Sequence, residues 1–237
     1  MSIGDFMNKV IVIEGTDCSG KETQSKMLLE RLNQNNIDSV YMTFPAYDTP
    51  TGKIIGGSYL GKESIGKCVF PEGAVNVDAK VASLYYAADR LYNIEKIKFL
   101  LDNGVNVILD RYVYSNMAHQ GGKLDNADDR HAMYDWLDNL EFNLLSLPKP
   151  DISVFLHMPF ELSLTLKKNR EEDLDQNEKD KNHLINAENA FIELAKKYNF
   201  YTIECNEGDR IKTIPEINED LYGYVSGIIK ENINFSK

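Results

Sequence analysis

The sequence predicts an α/β fold with a doubly wound, five-stranded, mostly parallel sheet and helices on both faces. Five short apolar runs alternate along the chain with longer segments of helical periodicity, the order of elements typical of a parallel sheet. The first run opens with four apolar residues, Val10 to Ile13, as expected of a strand buried on both faces. No repeat or linker interrupts the 237 residues, so we expect a single domain over residues 1–237.

The boundaries of the predicted elements are marked by glycine, proline and asparagine. Strands are predicted over residues 10–14, 39–44, 105–109, 152–156 and 200–205. Helical spacing predicts helices over residues 21–32, 78–103, 115–119, 129–145, 160–168, 184–198 and 214–231. Asn103-Gly104 is a suitable helix end, and Pro45 ends the second strand, where Phe44-Pro45 is a candidate cis peptide. Residues 56–77 are glycine-rich and weakly periodic, so we expect a loop with short helical pieces there.

The stretch between the first strand and the first helix has the composition of a phosphate-binding loop. It comprises Gly15, Thr16, Asp17, Cys18, Ser19, Gly20, Lys21, Glu22 and Thr23. Two glycines separated by four residues allow a tight turn with inward N–H groups, and the helix start adds partial positive charge. Lys21 would neutralise the outer phosphates of a nucleoside triphosphate. Glu22 stands where a hydroxyl residue usually contacts Mg²⁺, and a chance glycine-rich turn is the alternative interpretation.

Charge and composition argue against several function classes. The formal net charge of −11 argues against non-specific nucleic-acid binding, because no broad basic face is available. No apolar run approaches the ~20 residues that span a bilayer, and the N-terminus lacks a secretory core, so we expect a cytoplasmic protein without a membrane partner. The three cysteines show neither disulfide nor zinc spacing. An anionic ligand must then be held by individually placed cations.

Two charged residues, Asp110 and Arg111, follow the third predicted strand. They stand at the carboxyl edge, which faces the ligand crevice in an open parallel sheet; a helix cap with a surface ion pair is the alternative. Asp110 ends an apolar strand and is our candidate for binding Mg²⁺ through water. The charged tract 167–183 mixes both signs, so it is either a solvated mobile surface or a mobile lid that closes over phosphates.

Four sequence blocks resemble, in chain order, the thymidylate kinases, which are P-loop enzymes that transfer a phosphoryl group from ATP to dTMP. The blocks are Glu14-Gly15 through Gln24, Phe44-Pro45 with Thr51-Gly52, Leu84 to Arg90, and Asp110-Arg111-Tyr112 through Gln120-Gly121; residues 147–156 match more weakly. The resemblance spans nearly the whole chain. It implies a fold of the P-loop NTPase type, ATP and Mg²⁺ as cofactors, formation of dTDP for DNA precursor synthesis, and a homodimer formed through helices.

The resemblance also implies how the thymine base is bound. Tyr86 and Arg90 are one helical turn apart and share a face. The family stacks the matching aromatic ring on thymine and binds its O4 with the matching arginine. Asn116 is suited to the thymine N3 edge, because an amide accepts from N3–H while also donating, and Gln120 matches a glutamine in the same wall. Tyr86 as an ordinary core aromatic is the alternative.

Further residues complete the nucleotide site that the resemblance implies. Phe44 would pack on the nucleoside, Asp17 would reach the acceptor sugar, and Arg111 would bind its 5′-phosphate. Catalysis would then depend on charge stabilisation by Lys21, Arg111 and one more arginine. Some family members carry that arginine inside the phosphate loop, where this chain has Cys18. Arg170 is the only arginine in the tract 167–183, so we predict that Arg170 supplies this charge from the lid.

Departures from the family pattern leave other functions open. Glu22 and the missing loop arginine are compatible with a catalytically weak nucleotide-binding member of the fold. A kinase for another deoxynucleotide or for a deoxynucleoside is a further alternative, and the latter would need Glu14 or Asp17 as a base. His119 stands where the family commonly has a tyrosine, at a position linked to exclusion of ribose. The remaining His131 and His183 show no metal-ligand spacing.

Overall fold

The structure is a computed structural model that describes residues 8–167 and 175–235. Its main sheet is formed by β1 (Val10–Gly15), β2 (Ser39–Thr43), β3 (Asn106–Asp110), β4 (Ile152–His157) and β5 (Tyr201–Glu204). The strands are parallel throughout, and each end lies within one residue of its predicted position. The doubly wound α/β fold class is therefore confirmed.

The strand order across the sheet is β2-β3-β1-β4-β5. The register places Asp110 beside both Ile13 and Thr43, and it places Gly15 beside Leu156. The carboxyl ends of the three strands β1, β2 and β3 therefore lie next to one another. Residues that follow these strands share the crevice where open parallel sheets bind their ligands.

Helices cover both faces of this sheet. Their bounds are α1 (Lys21–Gln34), α2 (Pro50–Lys53), α3 (Ala79–Asp102), α4 (Val113–Gly121), α5 (Ala127–Asp138), α6 (Phe160–Lys167), α7 (Gln176–Lys179), α8 (Lys181–Lys197) and α9 (Ile214–Phe235). The helix α3 ends as predicted, because Gly104 adopts φ 89° directly after the cap residue Asn103. The Phe44–Pro45 peptide is cis, also as predicted.

Alternate residues of β1 enter two separate apolar cores. Val10 and Val12 belong to the core beneath the helices α3, α4, α5 and α8, whereas Ile11 and Ile13 belong to the core beneath α1 and α9. The strand β1 is thus buried on both faces, which is the reason for its continuous apolar run. This central position holds the loop that follows β1 against a rigid support.

The region 56–77 is loop with short helical pieces, as predicted: residues 54–59 form a π-helix that continues α2, and residues 74–76 form a short 3₁₀ turn. Together with Ala82 these pieces pack a third small core. Two other segments differ from the sequence prediction. The predicted helix 129–145 is α5 followed by a π-helical turn at Asn139–Leu144. A two-stranded hairpin, Asn206–Glu207 with Arg210–Ile211, was not predicted, because two-residue strands carry no readable period. Over the described ranges, no helix has the length and apolarity required to cross a membrane.

Candidate functional site

The loop between β1 and α1 turns tightly at the carboxyl edge of the sheet. A Cβ at Gly15 would lie 2.7 Å from the Leu156 carbonyl oxygen, so the loop and β4 approach too closely for any other residue. Gly20 adopts φ 79° and Cys18 adopts φ 61°, the left-handed conformation that strains a cysteine by about 1–2 kcal/mol. Thr16 secures the loop, because its hydroxyl both donates to and accepts from the Met158 backbone at 2.8 Å.

Lys21 lies in this loop with its amine buried. Its Nζ donates to the carbonyl oxygens of Gly15 at 3.0 Å and of Thr16 at 2.8 Å. Burial, together with the positive charge of Arg111, lowers the pKa of Lys21 to about 8. Among the described residues, the amine donates hydrogen bonds to these neutral carbonyl oxygens and not to a carboxylate. The phosphates of a bound nucleotide would supply the negative charge that pairs with it.

Asp110 and Arg111 lie beside Lys21 at the end of β3. Asp110 is buried and its Oδ2 accepts from the Tyr41 hydroxyl at 3.1 Å, while burial raises its pKa against the opposing charges of Lys21 and Arg111. Arg111 adopts φ 65°, and its Nη2 lies 3.4 Å from Asp17 Oδ1. Burial acts to lower the pKa of Arg111, but the carboxylates of Asp17, Asp110 and Glu14 raise it overall. Arg111 is therefore permanently charged, and it lies at the carboxyl edge of the sheet.

Glu22, which occupies the usual hydroxyl position, is directed along the surface of α1. Its Oε1 accepts from Lys26 Nζ at 2.5 Å, one helical turn further on, and both side chains are largely exposed. The pairing with Lys26 offsets the negative charge that Glu22 would otherwise present to phosphates. Thr23, the next residue, is exposed.

A single cavity of about 430 Å³ opens between the phosphate loop and the helices α3 and α4. Most of the described residues that were predicted to bind nucleotide line it: Asp17, Cys18, Gly20, Lys21, Glu22, Thr23, Phe44, Tyr86, Arg90, Asp110, Arg111, Asn116 and Gln120. Gly15, Thr16 and Ser19 instead hold the loop against β4 and within itself. The structure thus brings together residues from four separate parts of the sequence.

The wall opposite the phosphate loop is aromatic and amide-bearing. Tyr86 lines the cavity with its ring edge-on to Tyr59, at a centroid distance of 5.8 Å, and Phe44 packs 6.0 Å from Tyr112. Burial raises the pKa of Tyr86 well above its usual value, so its hydroxyl stays neutral. Gln120 is fully buried in the same wall.

Arg90, in the same wall, is paired with the buried carboxylate of Glu141. Its Nε and Nη2 donate to the carboxylate of Glu141, with Nη2 2.6 Å from Oε1, and both side chains are buried. Asn116 donates from Nδ2 to the same Oε1 at 3.1 Å and to the Ser83 carbonyl oxygen at 3.2 Å. Sequence reasoning missed Glu141, although one signal was present: Glu141 continues the buried spacing of Met133 and Leu137 in α5.

Glu14, considered above as a possible base, accepts hydrogen bonds from the start of α4. Its carboxylate accepts from the backbone N–H of Tyr112 and Ser115 at 2.9 and 3.0 Å and from the Ser115 hydroxyl at 2.5 Å. These bonds satisfy the N-terminus of α4, which carries Asn116 and Gln120. Glu14 is fully buried, and burial raises its pKa. Because Glu14 is fully buried and is not among the residues that line the cavity, its carboxylate is poorly placed to deprotonate a sugar hydroxyl.

The described part of the charged tract 167–183 reaches the cavity. Asp175, Asn177 and Glu178 line it, and Gln176 Oε1 accepts from the Ala74 backbone N–H at 2.6 Å. Burial, together with the neighbouring Glu178, raises the pKa of Asp175 to about 6. Arg170, predicted to act from this tract, lies outside the described residues.

His119, which is half-buried and lines the cavity, pairs with the buried His183. The Nδ1 of His119 lies 3.2 Å from the Nε2 of His183, and the two rings stack with their centroids 5.3 Å apart. Burial lowers the pKa of both, to about 4 for His183, where the charge of Lys123 adds to the effect. His183 precedes the buried row Ala187, Phe191 and Leu194 at helical spacing, which is the signal that could have marked it as buried.

We expect this pair to make folding stability fall as the solution is acidified. The unfolded chain binds a proton at each histidine near pH 6.5, whereas folded His183 remains neutral down to about pH 4, so the unfolded state gains protons first. His183 alone should cost about 2 kcal/mol of unfolding free energy between pH 7 and pH 5. Urea unfolding of wild type and His183→Asn across this range measures the difference, which should shrink with decreasing pH. The exposed His131→Asn is the matched control, and parallel pH curves for wild type and His183→Asn would contradict the expectation.

The chain matches the family model described as thymidylate kinase over residues 13–212. It is 34% identical over 151 residues to the thymidylate kinase of Plasmodium falciparum, an alignment covering 64% of this chain and 62% of that protein. A probable thymidylate kinase of Methanocaldococcus jannaschii is 30% identical over 221 residues, covering 93% of this chain and 97% of the relative. Among solved structures, thymidylate kinase from Candida albicans is 28% identical, with a TM-score of 0.68 over 96% of this chain and 93% of the other. The aligned part of the chain thus spans less than two thirds of the Plasmodium protein and nearly all of the other two.

Proposed function

The chain belongs to the thymidylate kinase family, and on that premise we propose that it transfers the γ-phosphoryl group of ATP to dTMP to give dTDP. One observation carries the proposal. One cavity connects the phosphate loop with Lys21, and Arg111 beside it, to the wall that carries Tyr86 and Asn116. A donor triphosphate and a pyrimidine nucleotide can therefore meet across it. Supply of dTDP for DNA precursors in the cytoplasm would be the cellular role.

The two nucleotides would occupy opposite sides of this cavity. The loop N–H groups and Lys21 would hold the β- and γ-phosphates of ATP, and Arg111 would bind the 5′-phosphate of dTMP. On the acceptor side, Asp17 would reach the sugar while Phe44 and Tyr86 would pack against the nucleoside. A phosphate oxygen is already a competent nucleophile, so alignment and charge neutralisation are the protein's main contributions.

Mg²⁺ fits beside Asp110. The Asp110 Oδ1 atom is buried at the cavity and has no hydrogen-bond partner among residues 8–167 and 175–235. That same part of the chain holds no cluster of three or more side chains suited to a metal, so phosphate oxygens and water would complete the coordination. When bound, Mg²⁺ would neutralise charge on the transferred phosphoryl group. Glu22, paired with Lys26, would stay outside this coordination sphere.

We propose that the tract 167–183 acts as the lid and that Arg170 enters the site from it. The contacts of Asp175, Asn177 and Glu178 with the cavity support a closing position for this tract. Replacement of Arg170 by alanine should lower kcat by about 10²-fold with little change in dTMP affinity, because the charge acts mainly on the transition state. Steady-state kinetics with varied dTMP measure both quantities. A kcat within threefold of wild type would remove Arg170 from the mechanism.

We further propose that the chain forms a homodimer through α3. Large apolar side chains form an exposed row along this helix: Val81, Leu84, Leu91, Tyr92 and Phe99. Tyr86 and Arg90 line the cavity from the opposite face of the same helix, so pairing of two copies through the exposed row would leave the site accessible. Sedimentation equilibrium should give twice the chain mass of 27.0 kDa, and a monomer at micromolar concentration would contradict this.

The experiment that tests the function is turnover of a set of acceptors with ATP and Mg²⁺. We expect dTMP to give the highest kcat/KM among dTMP, dUMP, dCMP, ribosyl TMP and thymidine. Thymidine turning over faster than dTMP would instead indicate a deoxynucleoside kinase. Binding of ATP or dTMP in a thermal-shift assay without dTDP formation in Mg²⁺ or Mn²⁺ would indicate a nucleotide-binding protein.

A further inference from the structure

Glu141 lies behind the cavity wall, where it contacts two of the residues that face the base. It belongs to the π-helical turn Asn139–Leu144, and its side chain is fully buried. Both oxygens of its carboxylate are used: Oε2 accepts from Arg90 Nε, and Oε1 accepts from Arg90 Nη2 and from Asn116 Nδ2. A buried carboxylate is tolerated only with such complete pairing, so these contacts constrain each other strongly.

The contacts of Asn116 determine which way its amide points. Both neighbours of its nitrogen, the Glu141 carboxylate and the Ser83 carbonyl, can only accept hydrogen bonds. The atom facing them must therefore be Nδ2. The Asn116 Oδ1 atom is left buried, without a partner among the described residues, on a side chain that lines the cavity. It is an acceptor prepared for an N–H group.

The same carboxylate also leaves one part of Arg90 available. Because Glu141 takes Nε and Nη2, Nη1 keeps only a 3.5 Å contact with the Tyr112 carbonyl oxygen. The wall thus offers one donor and one acceptor, the complement of a base edge with C=O next to N–H. Thymine presents that edge, whereas cytosine presents an amino group next to a bare ring nitrogen and would place donor against donor and acceptor against acceptor.

We propose that Glu141 is a specificity-determining positioning residue, which selects thymine over cytosine by fixing Asn116 and Arg90 in these orientations. This inference rests on the proposed function and deepens it. A glutamine at this position has one oxygen instead of two, so its amino group must face either Arg90 Nε or the two donors Arg90 Nη2 and Asn116 Nδ2. Either Arg90 or Asn116 would then no longer be held in the orientation in which it contacts the base.

The test compares dTMP and dCMP as acceptors for wild type, Glu141→Gln and Glu141→Asp, by kinetics and by equilibrium binding. The ratio of kcat/KM for dTMP to that for dCMP should fall by about 10²-fold in Glu141→Gln, because buried base-reading groups lose their orientation. The loss should appear in KM for dTMP, with kcat at saturation within about threefold. Glu141→Asp keeps the charge and should give an intermediate ratio, and it serves as the test if Glu141→Gln does not fold.

Glu193→Gln is the matched control. Glu193 also binds an arginine through both oxygens, with Arg130 Nη2 at 2.7 Å and Nε at 3.3 Å, but it is half-exposed and away from the cavity. Its loss should leave the dTMP to dCMP ratio unchanged. A wild-type protein that binds dCMP as well as dTMP would overturn the base edge and the proposed function together. A wild type that prefers dTMP, with the same preference in the folded Glu141 variants, would overturn the inference about Glu141 alone.

Discussion

Replacement of Lys21 by alanine is expected to lower kcat by about 10³-fold, the largest effect of any single side chain in the site. The Lys21 amine is buried in the phosphate loop and donates only to two neutral carbonyl oxygens, those of Gly15 and Thr16. Its charge is therefore available to the phosphates of ATP as negative charge shifts during transfer. Steady-state and single-turnover kinetics with ATP and dTMP measure the loss in the chemical step.

Lys197→Ala is the control for this prediction. Lys197 lies on α8 away from the cavity, is exposed and pairs with Asp135, so its removal should change kcat by less than about threefold. Thermal unfolding of both variants separates loss of activity from loss of fold. A Lys21→Ala enzyme with kcat within tenfold of wild type would show that the phosphates are held by the loop backbone alone.

Replacement of Arg111 by lysine should reduce kcat/KM for dTMP by about 10²-fold while leaving KM for ATP within about threefold. A lysine keeps the positive charge but lacks the planar fork that binds two phosphate oxygens at once. The substitution also removes the ion pair with Asp17, whose Oδ1 lies 3.4 Å from Arg111 Nη2. Kinetics with each nucleotide varied in turn distinguish the two substrates.

Arg130→Lys offers a matched comparison, because Arg130 pairs with Glu193 away from the cavity. That variant should retain wild-type kinetics for both nucleotides. If Arg111→Lys instead raised KM for ATP and left KM for dTMP unaffected, Arg111 would bind the donor nucleotide. The positions proposed for ATP and dTMP would then have to be exchanged.

Much of the fold and part of the site could be predicted from local patterns. The apolar run Val10 to Ile13 identified β1, because a strand buried on both faces must be apolar at successive positions. The phosphate loop could be recognised since its glycines and Lys21 act within nine consecutive residues. Asp110 and Arg111 could be placed at the crevice because the carboxyl ends of parallel strands share one edge.

Other features carried only weak local signals. The π-helical turn at Asn139–Leu144 was predicted as ordinary helix, because its apolar spacing fits both conformations. Lys62 and Tyr47 line the cavity from a region that the sequence predicts only as turn and loop. Neither residue belongs to a pattern with a known chemical reason.

The sequence by itself determined the order of the strands and helices and the phosphate loop, because these follow from periodicity and spacing over short distances. The roles expected of the other nucleotide-binding residues came from the resemblance of the sequence blocks to a family. Only the tertiary structure decided which groups are fixed by which neighbours. Arg90 contacts Glu141, which is 51 residues away in the sequence, and His119 contacts His183, which is 64 residues away. These contacts depend on how the helices pack and on the position of the π-helical turn. The physical reason is that orientation of a buried polar side chain is set by its hydrogen-bond partners in space.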